Sequence, residues 1–401
     1  MEKEIYGLPK TVKFCKKCVM SNQKVTPSIV TKDSKDSMKN TLYFDESGIC
    51  EPCRMHEEFE NKIDWKERES KLKKLLDKYR SDDGSYDCIV PGSGGKDSIF
   101  QSIILKEKYG MHPLTVTWAP HMYTDVGRRN FESWIHKGGF DNFLFTPSGD
   151  VQRKLTRLAY INMLHPFQPF IFGQRNFVIH MAKKLGLKLI FFGENPAQYG
   201  GFKGEKDNPV MNKSYFTYDD STEILISGLT LKELREKYNI TKDNLKYHLP
   251  HTNKEFEELN LDIHFLGHYL QFHPQRNYYF AKEKVGFIPN NQRTDGTYSR
   301  YNSIDDKLDG FHYWTGYIKF GVGRTTHEAS QEVRNGDLTR EEAVALVHKY
   351  DGELPKTFFK DVLEYLDLDE KEFLEIADSF RPKHLWLRNI SGKYELRHQL
   401  K

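Results

Sequence analysis

Six consecutive residues, Ser93-Gly94-Gly95-Lys96-Asp97-Ser98, are of the types that grip a phosphate. Two glycines after a serine let the backbone turn sharply. Several N–H groups then converge into a concave donor surface for anionic oxygens. The apolar residues 86–90 lead in as a strand, and Ile99, Phe100, Ile103 and Ile104 fall at helical spacing behind the run. A helix beginning near Asp97 aims its positive end at the same anion, with Lys96 adding a full charge. Two commoner phosphate loops are excluded. The pattern G-x-x-x-x-G-K-[ST] needs glycine where Val90 stands and Ser or Thr where Asp97 stands. The pattern G-x-G-x-x-G begins correctly at Gly92 and Gly94 but needs a third glycine at Asp97.

Four of the five cysteines form a second constellation, Cys15-x-x-Cys18 and Cys50-x-x-Cys53. Each C-x-x-C turn places two thiolates on one side of a tight knuckle, and two knuckles complete a tetrahedron around zinc. In a reducing compartment such pairs are read as metal ligands before disulfides. An iron–sulfur cluster and a redox dithiol are the alternatives. A centre closed by four cysteines has no open position, so its expected role is structural. Cys88, inside the strand before the loop, reads as a small buried apolar residue and not as a nucleophile.

These residues need elements to position them. Strand-like runs at 86–90, 113–118, 142–145 and 187–192 alternate with helical stretches such as 125–137 and 174–185, which implies an α/β fold with a parallel sheet. Ligands of such sheets sit at the carboxyl ends of the strands, where the phosphate run, Trp118-Ala119-Pro120-His121 and Gly193-Glu194-Asn195-Pro196 all fall. The expected division is a zinc-ribbon module at 1–60, a linker helix at 61–83, a nucleotide domain at 84–215 and a mostly helical region at 216–401. Leu72, Leu75, Leu76 and Tyr79 give the linker helix one apolar face, expected to pack the cysteine module onto the domain that follows. Thr339-Arg340-Glu341-Glu342 is a capping box opening a later helix.

The hexapeptide resembles the SGG-x-DS signature of the PP-loop ATP pyrophosphatases, which implies ATP opened at its α-phosphate. Joined to the four cysteines and to Phe191-Phe192-Gly193-Glu194-Asn195-Pro196-Ala197-Gln198-Tyr199-Gly200-Gly201, it looks like the N-acetyl sugar amidotransferases of surface-polysaccharide and pseudaminic-acid pathways. That resemblance implies conversion of an acetamido group to an acetamidino group, with ATP and Mg²⁺ as helpers and Zn²⁺ as a structural ion. It implies that Ser93, Gly94, Gly95 and Ser98 hold pyrophosphate, that Lys96 supplies charge, and that Asp97 orients the loop or holds Mg²⁺. Trp118 and Ala119 would meet adenine, and Gly193 would line the site. Glu194 is a candidate catalytic residue and Asn195 a candidate for the sugar, unless these residues only make a turn. In the aromatic and charged stretch 298–324, Trp314 is a candidate for stacking and Lys319 or Arg324 for a substrate phosphate. Otherwise its aromatic residues are core and Asp305-Asp306 is a solvated pair. No cysteine is left for a glutaminase, so separate glutaminase and cyclase-like subunits are the expected source of ammonia.

Composition bounds these readings. With 401 residues, 38% hydrophobic and 29% charged, the chain has room for two or three domains and a sizeable core. A net charge of +3 argues against a dedicated nucleic-acid binder. That counts against a tRNA-modifying PP-loop enzyme, the nearest rival; a non-catalytic nucleotide-binding subunit is the other. No apolar run reaches the ~20 residues of a membrane span, and charges fill the place of a signal peptide's apolar core, so the cytoplasm is expected.

Overall fold

The computed structural model of the chain describes residues 5–26, 32–193, 208–219, 221 and 223–401, with the backbone alone for 59–61. Five strands form one parallel sheet: β1 (Cys88–Pro91), β2 (Pro113–Trp118), β3 (Asn142–Phe145), β4 (Leu189–Phe192) and β5 (Asp262–Phe265), in the order β3-β2-β1-β4-β5. A parallel sheet is stable only when both faces are covered. Cys88 and Val90 of β1 turn to one face with Leu189 and Phe191 of β4, and meet Leu72 and Leu76 of the helix Trp65–Tyr79. Ile89, Leu114, Val116 and Ile190 turn to the other face, against Phe177, Val178 and Met181 of the helix Gln168–Leu185. The strand order reverses at β1, with β2 on one side and β4 on the other. That reversal opens a crevice at the carboxyl ends of β1 and β4.

Two expectations about organisation are corrected. The sheet does not end near 215, because its fifth strand, β5, pairs in parallel with β4. The helix Trp65–Tyr79 does not join the cysteine module to the sheet; its apolar face is a layer of the sheet's own core. Arg68 donates to the carbonyl of His268 (2.8 Å), and Lys78 pairs with Asp262 of β5 (3.0 Å).

The cysteine module rests instead on the other end of the chain. Met20 and Leu42 pack with Val322 and Val333, Val19 with Ala329 and Ala343, and Tyr6 and Leu8 with Leu385 and Trp386. Val322, Ala329, Val333 and Ala343 lie on or beside the helices Arg324–Asn335 and Arg340–Tyr350, and Leu385 and Trp386 at the strand Trp386–Arg388; the second helix opens with the expected capping box, Thr339 and Glu342 each accepting from the other's backbone. The helices Asp309–Phe320, Phe359–Leu366 and Glu370–Ser379 share a core of Phe311, Trp314, Val362, Leu366 and Phe373 with Tyr160 and Leu164. Among the described residues, no helix is long and apolar enough to cross a membrane.

Candidate active site

β1 delivers the chain to the crevice, and the phosphate run turns it into the helix Lys96–Ile103. Gly94 has φ +82°, and a Cβ there would stand 2.5 Å from the Phe131 Cα. Only glycine fits both the conformation and the space. Gly95 is the N-cap, and no side chain caps this helix end, a feature that suits the binding of an anion. Ser98 Oγ donates to the Gly95 carbonyl (2.9 Å) and tightens the turn.

Lys96 is buried, its ammonium 2.5 Å from the Asp97 carboxylate. The other oxygen of Asp97 accepts from Asn277 (3.0 Å), on the helix Pro274–Val285. Asp97 therefore fixes the lysine and ties the loop to a distant helix. Gly193, at the end of β4, lies against the same loop helix, since a Cβ on it would meet the Gln101 amide at 2.3 Å. Glu194 and Asn195 lie outside the described residues.

A cavity of about 260 Å³ opens beside the loop, lined by Gly92, Ser93, Val116, Trp118, Asp305 and Asp309 among others. Trp118 ends β2 and walls this cavity, and its indole N–H has no partner among the described residues. Ala119 is buried behind it, its N–H committed to the Phe145 carbonyl (2.9 Å).

The opposite wall was legible only as an ambiguous acidic pair, and the structure removes the ambiguity. Asp306 is not solvated. Its carboxylate accepts from the His121 backbone (2.6 Å), His121 Nδ1 (2.7 Å) and the Leu308 N–H (3.0 Å), which pins the turn to the loop after β2. Pinning aims Asp305 and Asp309 at the cavity. Burial raises the Asp305 pKa, a hydrogen bond from Ser93 opposes it, and the Asp306 charge adds to it. Asp309 is raised well above its ordinary value by burial and by Asp305 and Asp306, with Arg324 opposing. Two such carboxyls hold a proton more readily than an ordinary carboxylate, or can gather a hard cation.

None of the three C-terminal candidates lines the cavity beside the loop. Trp314 is not a stacking platform for ligand; it stacks on Phe373 inside a core (5.7 Å, 15°). Arg324 is 2% exposed, donates to the Asn302 carbonyl, lies over the Tyr313 ring and carries the charge that opposes the rise in the Asp309 pKa. Lys319 is buried and donates to the Met163 carbonyl (3.1 Å).

The four paired cysteines converge. Their sulfurs are buried and lie within 4.8 Å of one another, Cys18 and Cys50 at 3.7 Å. A tetrahedron with metal–sulfur bonds of ~2.3 Å has edges of ~3.8 Å, so the donor set fits zinc. Cys15 Sγ accepts from the N–H groups of Lys17 (3.4 Å) and Cys50 (3.3 Å), and Cys18 Sγ from Met20 (3.4 Å), contacts that stabilise thiolates. Without a cation the thiols compete, Cys50 being pushed up by Cys15 and Cys18. Cys88 is fully buried in β1, and burial raises its pKa further from reactivity.

Residues 295–401 match the family model described as the C-terminal domain of WbpG-like LPS biosynthesis proteins. No curated protein matches the chain. Among solved structures, NMN synthetase from Francisella tularensis aligns over 49% of this chain and 85% of its own, at 15% identity and a TM-score of 0.27. The matched C-terminal segment is the one that carries Asp305, Asp309 and Arg324.

Proposed function

We propose that the chain is an ATP-dependent amidotransferase that converts the acetamido group of a sugar or nucleotide sugar into an acetamidino group. An amide carbon is a poor electrophile, and its oxygen is a poor leaving group. Transfer of AMP from ATP to the amide oxygen releases pyrophosphate and corrects both faults. Ammonia then attacks the carbon, AMP leaves with the oxygen, and the nitrogen sheds its extra proton. The observation that carries this reading is a cavity lined by Gly92 and Ser93 of the phosphate run, which lead into the uncapped Gly95 helix end, and by two carboxyls of raised pKa. The sequence resemblance and the LPS-biosynthesis match of residues 295–401 support a sugar as the acceptor.

In this scheme the loop amides and Lys96 neutralise the departing pyrophosphate. Asp305 and Asp309 offer the oxygen ligands that Mg²⁺ prefers, and Mg²⁺ would supply charge neutralisation at the phosphates. Whichever carboxyl is free of metal is placed to take the proton from ammonia. Zinc at Cys15, Cys18, Cys50 and Cys53 would serve the fold. Ammonia is supplied by a separate glutaminase, since the paired cysteines are committed together and Cys88 is sealed in the sheet.

A pyrophosphate-release screen of N-acetylated sugars and nucleotide sugars, with ATP and ammonium, tests the proposal. The product should be lighter by about one mass unit and carry a new basic group. Pyrophosphate release with no amidine product, or full turnover with glutamine alone, would overturn the corresponding half of the scheme.

A further inference from the structure

One face of the helix Asp309–Phe320 continues past the ATP-side cavity. Asp309, His312, Gly316 and Lys319 recur at i, i+3, i+7 and i+10, which places them along a single side. His312 lines the ATP-side cavity, and its ring stacks on His165 (5.3 Å, 20°). Gly316 comes next. No described residue lies within 4 Å of a Cβ built there, so a space opens above the middle of the helix. Lys319 closes the far end, about 10 Å beyond His312 along the axis.

Among the described residues, several basic groups gather around that space. Lys319, 8% exposed, is in electrostatic contact with Lys39 and Asp33 of the four-cysteine module. His165 lies within electrostatic range of Lys319 and Lys39, and His312 within range of Lys319 and Lys24. Asp33 is the counter-charge, ion-paired with Lys39. Burial lowers Lys319 to about 7, with Asp33 opposing and Lys39 adding to the fall, and burial alone lowers Lys24 to about 8. A cluster of this kind is costly unless an anion completes it.

We propose that this space is a second anion-recognising pocket, formed by Gly316, Lys319 and His165 with Lys24 and Lys39 of the cysteine module, which holds the acetamido substrate by its carboxylate or phosphate. It rests on the amidotransferase reading and adds to it a place for the sugar. Bound there, the substrate extends along the helix from Lys319 towards Asp309 and the phosphate loop. The cysteine module then forms one wall of the substrate site as well as part of the C-terminal core.

The test uses the full-length, zinc-loaded chain and calorimetric titration with two probes, UDP-N-acetylglucosamine for a phosphate and N-acetylneuraminic acid for a carboxylate. Gly316→Leu fills the space with a side chain that favours helix, so the variant is expected to fold; Lys319→Met removes the end charge. The wild type should bind one of the probes, and each variant should bind it at least about tenfold more weakly, with affinity for a non-hydrolysable ATP analogue and Mg²⁺ changed by less than about twofold. Binding of neither probe, or equal binding by Gly316→Leu, overturns the pocket. Amidine formation is scored separately. Binding that Gly316→Leu abolishes, without any amidine from the wild type, keeps the pocket and removes the reaction. Equal amidine formation by both proteins keeps the reaction and removes the pocket.

Discussion

Asp309 carries two separable consequences of one environment. Burial and the neighbouring Asp305 and Asp306 raise its pKa, so the folded protein holds a proton there that the unfolded chain releases near pH 4. Stability from that proton is present below the unfolded value and is lost as pH rises through the folded value. Asp309→Asn keeps the shape without the ionisation. Its Tm relative to wild type should therefore be higher at pH 8 than at pH 5. The same substitution removes a base beside the loop, and turnover should fall by about 10²- to 10⁴-fold. A shifted Tm profile with undiminished turnover would leave Asp309 an electrostatic neighbour only. Lys96→Ala is harsher, since it takes the charge from the proposed pyrophosphate site and leaves Asp97 with Asn277 as its other partner. Pyrophosphate release should disappear. Asn277→Leu, which frees one oxygen of Asp97 and leaves the lysine in place, should weaken ATP affinity by a smaller factor.

Among the elements, the β1–loop–helix unit is the most constrained. Gly94→Ala must adopt φ +82° with a methyl 2.5 Å from the Phe131 Cα, on the helix Asp125–Gly138. The left-handed conformation alone costs about 1–2 kcal/mol, and the contact forces the loop and that helix apart. ATP-analogue binding should drop by at least about tenfold while the helical content by circular dichroism is kept; unchanged affinity would show that the loop can relax without losing its amides. This unit was legible in the sequence because its determinants are local: an apolar run, two glycines, and isoleucines at helical spacing. β5 was not legible. Asp262-Ile263-His264-Phe265 mixes charge with apolar residues, and it becomes a strand through its pairing with Leu189–Phe192, a contact that no local pattern reports. The acidic turn was half-legible for the same reason. Asp305 and Asp306 stand out as residues, but what separates a solvated pair from a buried clamp is His121, 185 positions earlier. Trp314 misled because an aromatic side chain in a polar stretch has the same composition whether it meets a ligand or Phe373.

At the scale of the whole molecule, the two ends of the chain share their cores, and this changes what a structural metal does. Met20 and Leu42 of the cysteine module pack with Val322 and Val333, and the Cys15 carbonyl accepts from Arg340 (3.5 Å). Four buried sulfurs without a cation cannot all ionise, so metal loss loosens the module. Loosening then spreads to the helices that the module covers. On chelation, amide hydrogen exchange should accelerate in Arg324–Asn335 and Arg340–Tyr350 together with the residues around the cysteines, while β1, β2 and β4 keep their protection. Cys50→Ser should reproduce the pattern without a chelator. Exchange confined to the cysteine module would show that the shared cores are too weak to couple the two ends. Exchange rising across the sheet as well would make the metal a determinant of the entire fold. The intermediate outcome follows from the packing, because the sheet's two faces are covered by Trp65–Tyr79 and Gln168–Leu185 without help from the cysteine module.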